Sequence, residues 1–115
     1  MPGLQVYHNG WQDVRPVKGA LTINIGDLLQ VWSNDRFKAP LHRVRASSVS
    51  DRYSIVFFLN PAMDCIVKPL PSAINSEDNP QYRPFSWREF RELRAQGDYG
   101  DYGKEVQIRH YRAQT

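Results

Sequence analysis

Three side chains in the middle of the chain, His42, Arg52 and Ser54, have types and spacing that suit chemistry. If residues 52–59 form a strand, alternation puts Arg52 and Ser54 on one face, about 7 Å apart along it. A planar guanidinium beside a hydroxyl on a sheet floor suits a small carboxylate, which arginine clamps through two parallel hydrogen bonds. The competing reading of Arg52 is a surface charge accompanied in water by Asp51. His42 stands alone on its strand, where a histidine is most often a structural hydrogen-bonder. The remaining candidates read as structural: His8 as an exposed turn residue, Asp27 as a helix cap, and Cys65 as a small hydrophobe beside Ile66 and Val67. No catalytic acid, base or nucleophile is assigned.

The elements that must position these groups are mostly strands. Residues 41–61 read as a hairpin: Leu41, Val44 and Ala46, a polar break over Ser47-Ser48-Val49-Ser50-Asp51, then the β-branched and aromatic run Tyr53 to Leu59, closed by Asn60-Pro61. Alternation turns Arg43 and Arg45 toward solvent. Earlier, Asn9-Gly10 between Leu4-Gln5-Val6-Tyr7-His8 and Trp11-Gln12-Asp13-Val14 predicts a second hairpin. A strict two-residue loop there sets Leu4 and Val6 on the face of Trp11 and Asp13, so the register stays open to a bulge. Ala20 to Ile25 reads as a strand with Leu21, Ile23 and Ile25 on one face and Thr22 and Asn24 on the other. Asp27 caps a short helix over 28–32, and Ser33-Asn34-Asp35 makes the following turn.

Beyond Pro61 the pattern loosens. Met63 to Val67 suits one more short strand, and Pro69 to Pro80 reads as a loop. Ser86-Trp87-Arg88-Glu89 is a capping box, with Phe85 and Phe90 as its hydrophobic staple, and Gly97 ends the helix. Trp87, Phe90 and Leu93 fall on one helical stripe, which predicts core packing for all three. Asp98-Tyr99-Gly100-Asp101-Tyr102-Gly103 is a short quasi-repeat read as an ordered connection.

Composition bounds the function. A chain of 115 residues is a single domain at most, 1–115, with a β core over about 3–68 and a C-terminal helix and tail over about 80–112. Its formal charge of +3 comes from fifteen basic residues interspersed with twelve acids. That spread makes no phosphate-tracking stripe, so nucleic acid is not an expected partner. The lone Cys65 excludes an internal disulfide and suits a reducing compartment. No apolar run approaches the roughly 20 residues needed to cross a bilayer. A cytoplasmic protein without a membrane partner is the expectation.

Several blocks in a fixed order then carry a resemblance. They are Gly19-Ala20-Leu21-Thr22-Ile23-Asn24-Ile25-Gly26-Asp27, Trp32-Ser33-Asn34-Asp35-Arg36-Phe37-Lys38, Leu41-His42-Arg43-Val44, Arg52-x-Ser54 ten residues after His42, and Phe57-Phe58-Leu59-Asn60-Pro61. From Gly3 to near Tyr111 the chain resembles the C-terminal half of the oxygenase domain in iron(II)/2-oxoglutarate-dependent dioxygenases, the branch that includes isopenicillin N synthase. The resemblance implies a mainly β fold with a C-terminal helix, a partial double-stranded β-helix (jelly roll, cupin-like) truncated at the N-terminus.

It also implies roles: His42 as a metal ligand to iron, and Arg52 and Ser54 as the clamp on the 2-oxoglutarate carboxylate. In that family two histidines and a carboxylate hold iron(II) and leave open positions for co-substrate and oxygen. The other two ligands form an H-x-D/E motif upstream of the segment matching Gly3-Leu4-Gln5-Val6. None of the three histidines supplies that motif, because Gly10, Val44 and Arg112 stand two residues after them. The expectation is therefore weak or absent iron binding by this chain alone, and inactivity until the missing half completes a pocket for a small-molecule substrate. Strand edges left open by truncation predict a homo-oligomer. The alternative is a non-catalytic binding or oligomerising module derived from the same fold.

Overall fold

A computed structural model describes residues 3–75, 78–97 and 105–114. The quasi-repeat at 98–103 lies outside the described residues. The elements run β1 (Leu4–Tyr7), β2 (Trp11–Asp13), α1 (Asp27–Trp32), β3 (His42–Val44), β4 (Ile66–Val67), β5 (Phe85–Ser86) and α2 (Trp87–Gln96), with 3-10 turns at Pro71–Ala73 and Ile108–Tyr111. They make a three-stranded antiparallel sheet in the order β2-β1-β3 and a two-stranded antiparallel sheet, β4-β5.

The first hairpin forms where Asn9-Gly10 predicts it, with a longer loop. Tyr7 pairs with Trp11, so His8, Asn9 and Gly10 all lie in the turn. Asn9 and Gly10 take φ of 52° and 130°, the left-handed side on which Asn and Gly are best tolerated. The third loop residue shifts the register by one and resolves the face conflict. Leu4 and Val6 now share a face with Gln12 and Val14, while Tyr7 meets Trp11 edge-on at 5.4 Å on the other. Arg43 is not simply a solvent charge: its guanidinium lies 3.9 Å from the Trp11 ring centroid, and Nε donates to Gln5 Oε1 at 2.9 Å. Gln5 in turn donates to Asp13 at 2.8 Å, so a polar ladder crosses the sheet.

The runs at 20–25 and 53–59 make no strand ladder in this structure. Their side chains are laid open, with Leu21 90%, Phe57 84% and Leu59 86% exposed. A strand is a property of two segments, and these runs meet no pairing segment among the described residues.

The packed core lies elsewhere. Leu28, Val31, Val67, Tyr82, Phe85, Trp87, Phe90, Ile108 and Tyr111 form one buried cluster. Helix α2 supplies its spine: Ser86 Oγ accepts from the Glu89 N–H at 3.3 Å, and Phe85 and Phe90 close the staple at 5.6 Å. Leu93 corrects the predicted stripe, since it is 37% exposed at the rim of a hollow instead of in the core. Asp27 is corrected as well. The helix begins one residue earlier, with Gly26 at the N-cap and no capping side chain, and Asp27 instead pairs with Arg94 of α2 at 3.2 Å.

Candidate functional site

The site residues sit on the three-stranded sheet and on the segment that follows it. His42 opens β3 opposite Val6, and Val44 lies opposite Leu4. Partners directly across an antiparallel pair point to the same side, so His42, Val44, Leu4 and Val6 share one sheet face. The ring of His42 is exposed, and its Nδ1 lies 3.1 Å from the Pro40 carbonyl oxygen. A carbonyl only accepts, so this bond puts a proton on Nδ1, and in the neutral ring the lone pair is then on Nε2. A neutral imidazole held in that tautomer is prepared to ligate a metal.

Leu4 also lines a hollow of about 280 Å³, together with Gly3, Val14, Pro16, Thr22, Asp51, Arg52 and Tyr53. Arg52 is half-buried there, with its aliphatic arm across Gly3. The residue opposite His42, Val6, is two positions from Leu4, about 7 Å along the strand. One sheet face thus carries an imidazole at one end and leads to a guanidinium-lined hollow at the other.

The structure does not bring every predicted residue together. Ser54 is exposed and does not line the hollow; the hydroxyl-bearing residues that do are Thr22 and Tyr53. Sequence reasoning placed Thr22 on the polar face of its run without linking it to Arg52. His8 is exposed at the hairpin turn, and His110 Nδ1 accepts from the Gln107 N–H at 3.2 Å, closing the C-terminal turn. Among the described residues no three His, Cys, Asp or Glu side chains converge as a metal site. Nor is any described helix long and apolar enough to cross a membrane.

The strongest electrostatic organisation lies away from the hollow, in a cluster that sequence reasoning missed. Asp35 accepts from Tyr82 Oη at 2.6 Å, from Gln30 Nε2 at 3.0 Å, and from Arg112 Nη1. Burial opposes ionisation of Asp35, but the hydrogen bonds from Arg112, Tyr82 and Gln30 and the charge of Arg112 outweigh it and lower the pKa. Burial, reinforced by donation to the Asp35 carboxylate, pushes Tyr82 up to about 12. The only signal in the sequence is the Ser33-Asn34-Asp35 turn, where Asn34 and Asp35 both take positive φ. That turn aims the carboxylate inward.

Comparison with known proteins identifies the family. The sequence profile of the 2OG-Fe(II) oxygenase superfamily matches residues 1–61, a span that includes His42, Arg52 and Ser54. A bi-functional coumaroyl CoA and feruloyl CoA ortho-hydroxylase from Ipomoea batatas is 47% identical over 83 residues, covering 72% of this chain and 23% of the relative. Gibberellin 2-beta-dioxygenase 5 from Oryza sativa subsp. japonica is 36% identical over 111 residues, covering 96% of this chain and 32% of the relative. Among solved structures, JOX2 in complex with 2OG, Fe and JA superposes with a TM-score of 0.73 at 35% identity, over 80% of this chain and 28% of that one. The rice dioxygenase for auxin oxidation also gives 0.73, at 26% identity over 97% of this chain and 38% of that one. The chain spans about a quarter to a third of the length of the curated relatives it matches. Its strands and C-terminal helix are part of a jelly-roll fold, and the chain belongs to the 2OG-Fe(II) oxygenase superfamily.

Proposed function

We propose that this chain is the C-terminal portion of an iron(II)/2-oxoglutarate-dependent oxygenase that oxidises a small molecule, and that it contributes one iron ligand and the co-substrate clamp. The observation that carries this reading is the shared sheet face, with His42 Nε2 left to ligate at one end and Arg52 lining a hollow at the other. When bound in such a site, iron(II) and 2-oxoglutarate together activate oxygen for oxidation of an organic substrate. The work of this chain is to orient. His42 offers a lone pair from its neutral ring, and Arg52, with Ser54 or with Thr22 of the same hollow, holds the far carboxylate of the co-substrate.

One imidazole fits one position of the triad and is too few donors to retain iron(II), which lies near the weak end of the divalent affinity series. The isolated chain is accordingly inactive, and activity requires the remaining ligands from an N-terminal portion of the same fold. The test is succinate formation from 2-oxoglutarate by the purified chain with iron(II). The expected result is none above a protein-free control, with turnover on adding the N-terminal portion of an oxygenase domain. Turnover by the chain alone overturns the reading.

A second reading is favoured by the apolar run at 53–59, which is exposed throughout. It is a non-catalytic module that pairs with another copy through those unladdered segments. Sedimentation then shows mass rising with concentration, and a concentration-independent monomer removes this reading.

A further inference from the structure

The geometry points to Gly3 as the seat of the Arg52 side chain, and so as a positioning residue for 2-oxoglutarate capture. This inference rests on the clamp reading above. A Cβ built on Gly3 would lie 2.8 Å from Arg52 Cδ, 3.0 Å from its Nε and 3.4 Å from the Arg45 carbonyl oxygen. Carbon atoms pack best at about 3.5–4.0 Å, so the first two distances leave no room for a methyl group.

Backbone conformation is not the reason for glycine at this position. Among the described residues the glycines with positive φ are Gly10 and Gly19, and Gly3 is not one of them. Any residue could therefore adopt its backbone, and what excludes a side chain is the arm of Arg52.

Nor is the backbone at liberty to recoil. The Gly3 carbonyl accepts from the Arg45 N–H at 2.8 Å, and the next residue, Leu4, accepts from the Val14 N–H at 2.9 Å while pairing with Val44. Flanked by bonds to two neighbouring segments, the start of β1 stays in place, and an added methyl displaces the softer partner. That partner is the guanidinium arm. A bidentate grip tolerates little displacement, because each of its two hydrogen bonds depends on angle as well as distance.

The test is Gly3→Ala in the 115-residue chain, read in two ways. Thermal unfolding of Gly3→Ala, Arg52→Ala and the double variant tests the contact without any ligand. The expected result is a slightly lowered midpoint for Gly3→Ala, since the arm that it displaces is flexible, restored when Arg52 is also shortened. Should Gly3→Ala alone fail to fold, recovery of folding in the double variant carries the same information. An equal penalty in both backgrounds overturns the inference.

The second reading is an NMR titration with 2-oxoglutarate and with 2-oxobutyrate, the same keto acid without the far carboxylate. Gly3→Ala is expected to weaken 2-oxoglutarate about tenfold, the loss of one charge-assisted hydrogen bond, and to leave 2-oxobutyrate unchanged. A purely structural role lowers both equally and overturns the inference. If Arg52→Lys abolishes 2-oxoglutarate binding while Gly3→Ala spares it, the clamp stands and the seat falls. If Arg52→Lys leaves the titration unchanged, or wild type shows no binding, the clamp reading fails and the seat falls with it.

Discussion

The two halves of this molecule hold themselves together in different ways. Around α2, a capped helix, a staple of two phenylalanines and an aromatic cluster shut water out, and the Asp35 cluster ties three separated segments to it. Around the three-stranded sheet, the ladder is formed but little covers it, and the apolar runs beside it stand open. Among the described residues the half with a closed core carries none of the candidate ligands, while the half with His42 and Arg52 leaves its apolar runs exposed. The buried core and the candidate ligands are divided between the halves.

Four substitutions test that division. Phe90→Ala removes a ring that is 3% exposed and touches Phe85, Trp87 and Tyr111, and it is expected to cost about 3–5 kcal/mol in urea unfolding. A smaller loss breaks the claim that this core is closed.

The Asp35 cluster comes next. Asp35→Asn or Tyr82→Phe is expected to cost about 1–3 kcal/mol near neutral pH, by leaving a buried partner short of a bond. The pH dependence has a definite sign. Asp35 is lowered in the native state, so its contribution is full above the ordinary aspartate value of about 3.9 and is lost as pH falls through the lowered one. Tyr82 is raised to about 12, so its contribution is full below about 10 and is lost as pH climbs toward that value. Asp35→Asn should flatten the acid limb of a stability profile, and Tyr82→Phe the alkaline limb. If both limbs survive both changes, the cluster is not what ties the tail.

The smallest effect belongs to Phe57→Ala. At 84% exposure the ring has little to lose, and the unfolding midpoint should move by no more than about 0.5 kcal/mol. A cost like that of Phe90→Ala would show that the open half is packed in solution and erase the contrast.

What could be read in advance follows the same line. The Ser86 cap, the Phe85–Phe90 staple and the Asn9-Gly10 turn are short-range features, and each is visible within a few residues of text. The helix at Asp27 begins one position earlier than the local sequence predicts, which moves that carboxylate from a cap into an ion pair with Arg94, 67 residues away. The runs at 20–25 and 53–59 have strand composition, yet composition cannot supply a neighbour. Asp35 and its partners were invisible because Tyr82 and Arg112 lie 47 and 77 positions downstream. Of the candidate site, residue types and order were legible, whereas Gly3 beneath Arg52 and Thr22 beside it are matters of three-dimensional closure.

The return of Arg112 to Asp35, with Tyr82 bridged to Arg112 along the way, sets an order of events during synthesis. Every earlier piece of the aromatic core can leave the ribosome and still lack Ile108 and Tyr111. The aromatic core therefore cannot lock until the tail that carries them is made.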